Sequence, residues 1–373
     1  MRRALELAER ARGFTAPNPC VGAVLVQGGR IVAEGWHKVH GGPHAEREAI
    51  ADARAKGVDT TACDMYVTLE PCNHQGKTPP CTEGVLEAGI RRVFVGCADP
   101  NPHVAGGGAE FLRSRGVQVE VGILEQECRE AMADFMLWKT QGRAWCTLKL
   151  AMTLDGKIGG PARKPEAVSG PESHCRVQRL RGRSDAVLIG GGTLRADDPR
   201  LTCRLAPVEG EQVKRPLAIV ATRKLTGISA SFYLLRERPS ELIFWTTEDA
   251  ARSDTASRLG DMGCRVWGLP EHPAGGLELK AGLELFMREA GGHYVLCEGG
   301  GRMAMSLALQ EACDELKVFL APRVLGDERA PAAFLGRSVE SMAEALEWRV
   351  LRAEASGRDL EITLRPHVGA VGE

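Results

Sequence analysis

The chain has 373 residues, which is enough for two domains of ordinary size, and its composition is typical of a globular protein. Charged residues make up 26% of the chain and the formal net charge is −1, so the overall charge indicates neither a nucleic-acid partner nor an anionic membrane surface. No apolar run approaches the roughly 20 residues that a membrane-spanning helix needs, which argues against a transmembrane protein.

The first part of the chain alternates between helix and strand patterns. It opens with an amphipathic helix pattern that lacks the apolar core of a secretory signal. Two apolar stretches flank Gly28-Gly29 and predict a β-hairpin. The predicted elements are strands at 21–27 and 30–37, a helix after His44, a strand at 65–70, a helix at 82–88, a strand at 92–97, a helix at 108–115, a strand at 117–122 and one helix at 125–139. This pattern predicts an α/β domain over residues 1–142.

The rest of the chain begins again with a strand and has further apolar strands separated by helical stretches. The predicted strands lie at 145–156, 185–191, 216–222, 241–247, 264–269, 293–300 and 315–326. Residues 347–365 close the chain as a predicted antiparallel pair of strands. We therefore expect a second α/β domain, residues 143–373, built around a largely parallel sheet.

Twelve cysteines are scattered along the chain without a secretory signal. A reducing cytoplasm is the expected compartment, where cysteines bind metals or lie buried more often than they form disulfides. Most of them lie in or beside apolar segments and are predicted to be small core residues, among them Cys20, Cys63, Cys97, Cys128 and Cys146.

Three residues of metal-binding types stand at the ends of predicted elements. His44 begins a helix, Cys72 lies just beyond a strand and Cys81 begins another helix, where the helix N-terminus lowers a thiol pKa. Three protein ligands leave the fourth tetrahedral position of a zinc ion for water, as in catalytic zinc sites. The order His-x-Glu and then Pro-Cys is that of zinc deaminases, in which the Glu is not a ligand. We therefore predict one zinc site, with Glu46 as the group that carries protons.

The spacing of the two cysteines departs from this pattern, because eight residues separate them instead of two. A closed structural zinc site is the alternative, with His74 as a fourth ligand, but it would leave Glu46 without a role.

Two glycine clusters follow strands in the second domain, at Gly190–Gly192 and Gly299–Gly301. A strand, glycines and a helix N-terminus together form a site where backbone N–H groups can bind a dinucleotide pyrophosphate. Neither cluster has the G-x-G-x-x-G pattern, so tight turns remain the alternative.

Several segments of the chain resemble the bifunctional pyrimidine deaminase/reductase family of riboflavin biosynthesis, in which a long loop between the two cysteines is the rule. They lie at 17–26, 41–46, 67–81, 98–108, 148–158, 190–204 and 297–308. The resemblance implies a cytidine-deaminase-like three-layer domain followed by a domain similar to dihydrofolate reductase. It further implies zinc-dependent hydrolytic deamination of a diaminopyrimidine with a phosphoribosylamino group, and then NADPH-dependent reduction of its ribosyl group to ribityl.

The resemblance also assigns residues to the second site. Those implied to bind the cofactor are Ala151, Thr193, Asp197, Thr222, Gly300, Gly301, Arg302, Met303, Ala304, Met305 and Ser306. Those implied to face the substrate are Arg181, Leu201, Arg204 and Glu298. Arginine suits a phosphate because its planar fork donates two hydrogen bonds, although a surface ion pair is an equal alternative for both arginines. Thr222, followed by Arg223 and Lys224, would meet the 2′-phosphate of NADPH.

Some of these interpretations keep an alternative. Asp197 lies in a good turn sequence, and Asn18 is either a turn residue or, as the resemblance implies, a polar contact of the pyrimidine. Ala167 stands where many family members have tryptophan. This supports an alternative hypothesis, a deaminase whose second half is only a binding or dimerisation module. A deaminase of nucleic acid or free nucleosides is a further rival, but the net charge gives it no support. We expect a homo-oligomer, either a dimer or a tetramer.

Overall fold

The computed structural model describes residues 1–75, 79–99, 107–162, 164, 166–206 and 212–367. It divides into two compact units, Met1–Gly142 and Arg143–Glu373. Two of the segments that carry the resemblance lie partly outside the described part, 67–81 at its residues 76–78 and 98–108 at its residues 100–106. None of the described helices is both long enough and apolar enough to cross a membrane.

The first unit, as far as it is described, contains five strands and six α-helices. The strands are β1 (Gly22–Gln27), β2 (Arg30–Trp36), β3 (Asp64–Leu69), β4 (Arg92–Cys97) and β5 (Gln118–Val121). The helices are α1 (Arg2–Arg10), α2 (Ala45–Ala55), α3 (Cys81–Glu87), α4 (Gly108–Ser114), α5 (Glu125–Ala131) and α6 (Ala133–Gln141).

The five strands form one sheet in the order β2-β1-β3-β4-β5. The pairs β1–β2 and β1–β3 are antiparallel, whereas β3–β4 and β4–β5 are parallel. Alternate residues of β1 point to opposite faces: Ala23 and Leu25 join the larger core cluster, while Val24 packs with Ala4 and Leu7 of α1. Helices on both faces of the sheet give three layers.

Glycines allow two close features of this unit. Gly28 and Gly29 both have positive φ, as the two-residue turn between β1 and β2 requires, which confirms the predicted hairpin. Gly35 of β2 lies directly under α2, because a Cβ atom at this position would be 2.2 Å from the Ala49 nitrogen and 2.4 Å from the Ala45 oxygen. The absence of a side chain at Gly35 thus sets the depth at which α2 packs on the sheet.

The single helix predicted at 125–139 is wrong, because the chain forms α5 and α6 with a break at Met132 (φ −113°, ψ 15°). The Arg12 guanidinium donates to the Ala131 carbonyl at 3.0 Å and to the Asp134 carboxylate at 2.7 Å. Asp134 also accepts a hydrogen bond from the Phe135 N–H at the start of α6. These hydrogen bonds pair backbone groups that have no helical partner at the break, which lowers the free-energy cost of interrupting the helix.

The second unit, in its described residues, contains nine strands and seven α-helices. The strands are β6 (Trp145–Thr153), β7 (Ala186–Gly190), β8 (Leu217–Ala221), β9 (Leu242–Thr247), β10 (Arg265–Leu269), β11 (Tyr294–Cys297), β12 (Glu315–Ala321), β13 (Trp348–Ser356) and β14 (Asp359–Pro366). The helices are α7 (Pro171–Arg183), α8 (Gly191–Asp197), α9 (Tyr233–Glu237), α10 (Glu248–Ala251), α11 (Asp254–Asp261), α12 (Leu279–Ala290) and α13 (Gly301–Leu309).

These strands form one sheet in the order β10-β9-β8-β7-β11-β6-β12-β14-β13. The first seven strands in this order are mutually parallel, and β14 and β13 complete the sheet as an antiparallel pair, which confirms both predictions. Ala186 and Leu188 point into one core cluster, whereas Val187 and Ile189 point into the other. The strand predicted at 315–326 is shorter than expected and ends at Ala321, because Pro322 has no N–H to donate.

Candidate active sites

Three elements of the first unit bring the predicted metal ligands together. His44 is the residue before α2, Cys81 is the first residue of α3, and Cys72 lies three residues beyond the end of β3. The Cys81 N–H donates to the Cys72 sulfur at 3.4 Å, which fixes one cysteine relative to the other. The cluster therefore lies at the carboxyl end of β3, where two helix N-termini converge.

The distances in this cluster suit a zinc ion. The Nδ1 atom of His44 lies 3.5 Å from the Cys72 sulfur and 3.3 Å from the Cys81 sulfur, and all three ligand atoms lie within 4.8 Å of one another. Zinc bonds of about 2.3 Å to sulfur and about 2.0 Å to nitrogen place two tetrahedral ligands about 3.5 Å apart. His74 lies on the wall of the same pocket but outside this cluster.

Electrostatics favour a thiolate at the cluster before any ion binds. Hydrogen bonding with Cys81 and then with His44 holds the pKa of the Cys72 thiol below its usual value, against the effect of burial. The same hydrogen bond to Cys72 raises the pKa of His44. The site is thus prepared to exchange protons for a cation, as thiolate ligands require.

Glu46 lies in the first turn of α2 with only 3% of its surface exposed. Burial and then the negative charge of Cys72 raise the pKa of Glu46 to about 7. A cation held by the neighbouring cluster would act in the opposite direction and favour the carboxylate. Glu46 faces the pocket beside His44 and Cys72, so its carboxyl group can exchange protons with a molecule bound there.

The same pocket has a wall that sequence reasoning did not resolve. Asn18 and His37 both line it, and the Asn18 amide nitrogen lies 3.3 Å from Nε2 of His37. His37 is 2% exposed and its ring contacts that of His44 edge-on, with centroids 5.3 Å apart. The sequence alone indicates a loop or substrate-contact residue at His37 and not a metal ligand, and no motif links it to Asn18.

In the second unit the two glycine clusters lie side by side. They follow β7 and β11, which are adjacent parallel strands, and each precedes a helix, α8 or α13. A Cβ atom at Gly191 would be 2.7 Å from the Thr222 hydroxyl and 3.2 Å from an Arg195 guanidinium nitrogen. Glycine therefore lets Thr222 approach the start of α8.

A buried ion pair lies close to these clusters along the chain. Arg181 of α7 donates two hydrogen bonds to Glu298, at 2.5 and 2.9 Å, just beyond the end of β11. Burial opposes the charge of Glu298, but the hydrogen bonds and charge of Arg181 outweigh it and hold the pKa of Glu298 below its usual value. Burial lowers the pKa of Lys149, which interacts with both charges. Sequence reasoning missed Lys149, although a lysine in an apolar strand was a usable signal.

The remaining predicted residues differ in what they can offer. Arg204 is exposed, and its N–H donates to the Gln178 side chain at 2.8 Å. Leu201 is buried in the core with a positive φ of 52°, and Ala304 is buried and donates its N–H to the Gly300 carbonyl at 3.0 Å. Side-chain contacts with a bound molecule are therefore available to Arg204 but not to Leu201 or Ala304.

The other predicted residues lie near the surface. Thr193 and Ala151 are half-buried, Asp197 is exposed at the end of α8, and desolvation raises the pKa of Asp197. Arg302 is exposed, whereas Met303, Met305 and Ser306 are half-buried. Ala167 is exposed, and its carbonyl accepts a hydrogen bond from Arg323 at 3.1 Å.

Family models match both units. The model of the cytidine and deoxycytidylate deaminase zinc-binding region matches residues 1–97, and that of the RibD C-terminal domain matches residues 144–362. The riboflavin biosynthesis protein RibD of Aquifex aeolicus is 38% identical to this chain over 97% of the chain and 96% of its own length. The chain belongs to the RibD family. RibD of Escherichia coli strain K12 is 34% identical over 96% of each chain.

Solved structures of relatives match nearly the whole chain. RibD of Acinetobacter baumannii is 31% identical, with a TM-score of 0.78 over 98% of this chain and 97% of that one. The deaminase/reductase of Thermotoga maritima is 34% identical, with a TM-score of 0.77 and the same coverage. These comparisons confirm the expected fold class, a cytidine-deaminase-like domain followed by a reductase domain.

Membership of the RibD family decides the class of activity. The chain is a bifunctional enzyme of riboflavin biosynthesis that combines a deaminase with a reductase. Zinc serves the deaminase domain and NADPH serves the reductase domain. The rival reading, a deaminase with a non-catalytic second half, is not favoured.

Proposed function

We propose that the first unit removes an amino group from a diaminopyrimidine bearing a phosphoribosylamino group, the substrate class for which the Thermotoga relative is named. One observation carries this proposal: His44, Cys72 and Cys81 converge on one point beside the buried carboxyl group of Glu46. These three residues would hold a zinc ion, which when bound would supply a nucleophile from water at neutral pH.

Glu46 is the proton carrier in this proposal. Its carboxylate takes the proton released when the nucleophile forms and delivers it to the nitrogen that leaves as ammonia. Both steps need a carboxyl group that changes protonation near neutral pH, and the burial of Glu46 beside Cys72 supports this. Its place two residues after His44, in the first turn of α2, keeps it beside the metal cluster in the same pocket.

The second unit reduces the ribosyl group of the deaminated product in this proposal. NADPH supplies the hydride when it is bound. The first turn of α13, from Gly300 to Met303, has N–H groups without helical partners, which suit the pyrophosphate. Thr222 with Arg223 and Lys224 suits the 2′-phosphate, and Ala151, Thr193, Asp197, Met305 and Ser306 line the rest of the cofactor site.

The two arginines of the second site have different tasks. Arg204 is exposed and suits the phosphate of the substrate. Arg181 is already occupied by two hydrogen bonds to Glu298, so we propose that it positions this carboxylate rather than the phosphate. Glu298 and Leu201 then face the substrate, Leu201 through its backbone.

We also propose a homo-oligomer, a dimer or a tetramer, that works in the cytoplasm. The edge strand β13 and the segment before it expose apolar side chains, with Val350 56% and Met342 87% exposed, which supports a covering partner. The twelve free cysteines suit a reducing compartment. Light scattering on the purified protein measures the mass, and a monomer at micromolar concentration would contradict the first part.

The decisive experiment follows the two reactions separately. Purified zinc-loaded protein is incubated with the phosphoribosylamino-diaminopyrimidine, and ammonia release and NADPH absorbance are recorded. We expect ammonia without NADPH present, and oxidation of NADPH only after deamination or with the deaminated compound. Ammonia release without any NADPH oxidation would instead support a non-catalytic second half.

A further inference from the structure

Asn18 and His37 form one wall of the pocket. The contact of His37 with Pro43 determines which atoms of this wall donate hydrogen bonds and which accept them. Nδ1 of His37 lies 2.9 Å from the Pro43 carbonyl, which can only accept a hydrogen bond. Nδ1 must therefore carry a proton. The Asn18 amide nitrogen, which can only donate, lies 3.3 Å from Nε2, so Nε2 accepts this hydrogen bond and carries no proton.

This tautomer stabilises the orientation that the amide of Asn18 has in the structure. An Nε2 atom without a proton accepts a hydrogen bond, and the amide nitrogen of Asn18 lies 3.3 Å from it. With its nitrogen bound to His37, the amide must turn its oxygen away from the ring. Asn18 lines the pocket that also contains His44 and Glu46, so this oxygen is available to a bound base.

We propose that His37 is a positioning residue that makes Asn18 present a hydrogen-bond acceptor, not a donor, to the base in the deaminase pocket. The inference rests on the proposed function of the first unit. A carbonyl acceptor selects a base that offers an N–H group, such as an exocyclic amine or a protonated ring nitrogen. It rejects a base that offers only lone pairs there, because two acceptors repel each other and both lose water.

Two substitutions of His37 separate its two hydrogen bonds. The asparagine of His37→Asn reaches about as far as Nδ1 and can keep the bond to Pro43, whereas the glutamine of His37→Gln reaches as far as Nε2 and can accept from Asn18. We expect His37→Asn to lower kcat/KM for deamination about 100-fold, the cost of a reacting group displaced by about 1 Å. We expect His37→Gln to stay within about tenfold of the wild type.

Three controls exclude a structural explanation. Both variants should keep about one zinc per chain and the wild-type melting temperature, and the reductase of the same chain should reduce the deaminated compound at the wild-type rate.

Asn18→Ala should lower deamination as much as His37→Asn does. In the Asn18→Ala background, His37→Asn should change kcat/KM less than about threefold, because its effect passes through Asn18.

Several outcomes would overturn the inference. A His37→Asn variant with wild-type kcat/KM for deamination would do so, and so would a His37→Gln variant as impaired as His37→Asn. Losses in kcat/KM that multiply when His37→Asn is combined with Asn18→Ala would also do so, as would loss of zinc in either His37 variant. Asn18→Ala leaves His37 and the metal ligands in place. Wild-type deaminase activity in this variant would therefore overturn the inference without any other result. A wild-type chain that releases no ammonia contradicts the proposed function itself and is therefore distinguishable.

Discussion

Two buried carboxyl groups of this chain have opposite electrostatic surroundings. Glu46 is close to the Cys72 thiolate, and burial together with this charge raises its pKa to about 7. Glu298 is held by Arg181, which keeps its pKa low despite burial. Without a metal ion the first group has a pKa near neutral pH, which a cation in the cluster would lower, whereas Arg181 favours the anionic form of the second. Their surroundings thus suit one to proton transfer and the other to a fixed charge.

Replacing Glu46 with glutamine tests its role as the proton carrier. Glu46→Gln keeps the volume and the zinc cluster but removes the ionisable group, so we expect zinc to remain and deamination to fall at least about 100-fold. Glu48→Gln is the matched control, because Glu48 lies on the same helix but pairs with Lys38. Ammonia release measures both variants. Activity of Glu46→Gln within tenfold of the wild type would remove Glu46 from this role.

The metal cluster is tested by zinc content. Cys81→Ser replaces a thiolate with a weaker ligand in a three-ligand site, so we expect the content to fall from about one zinc per chain to near zero. Cys175→Ser, at an exposed cysteine of α7, should keep the metal. Elemental analysis after dialysis measures both. Two zinc ions in the wild type, or retention of zinc in Cys81→Ser, would contradict the three-ligand site.

The phosphate contact is tested in the reductase assay. Arg204→Ala should raise KM for the deaminated compound about tenfold or more with little change in kcat, because the phosphate is distant from the reacting carbon. Deamination by the same variant should be unchanged. Arg200→Ala is the control, since Arg200 stacks over Tyr233 instead. An unchanged KM in Arg204→Ala would place the phosphate elsewhere.

At the scale of single elements, the sequence predicts what local patterns encode. The hairpin around Gly28-Gly29 and the positions of the apolar strands depend on turn chemistry and periodicity, and these are local. The break between α5 and α6 depends on Arg12, which is more than a hundred residues away in the chain. The zinc cluster was predictable because its motif is local and specific. The surroundings of His37 and Lys149 were not, because they depend on neighbours that only the fold supplies.

The packing of α2 on β2 is tested at Gly35. A methyl group at this position would collide with the backbone of Ala45 and Ala49, so Gly35→Ala must lift α2 from the sheet. We expect a loss of about 1–3 kcal/mol in the free energy of unfolding of the first unit. We also expect weaker zinc binding, because the ligand His44 directly precedes α2. Gly260→Ala, at a helix position with no atom within 4 Å of the new Cβ, should leave stability unchanged or higher. Calorimetry compares them.

For the whole molecule, each compact unit has hydrophobic clusters of its own. We therefore expect the fragments 1–142 and 143–373 to fold when expressed separately, since a domain needs its own core to do so. The first should bind zinc and release ammonia, and the second should oxidise NADPH with the deaminated compound. Circular dichroism and the two assays check this. An unfolded fragment would show that the boundary or the independence of the units is wrong.

The strand order of the second sheet also bears on how a growing chain folds on the ribosome. The strand β6 is the first of its unit to be made, yet both of its neighbours, β11 and β12, are made only after residue 293. During synthesis the first unit can complete its sheet early, whereas β6 waits with two unpaired edges. Slow translation of the last part of the mRNA would prolong the time for which β6 lacks its neighbouring strands. The second unit is therefore the part of the chain that we expect to depend more on chaperones.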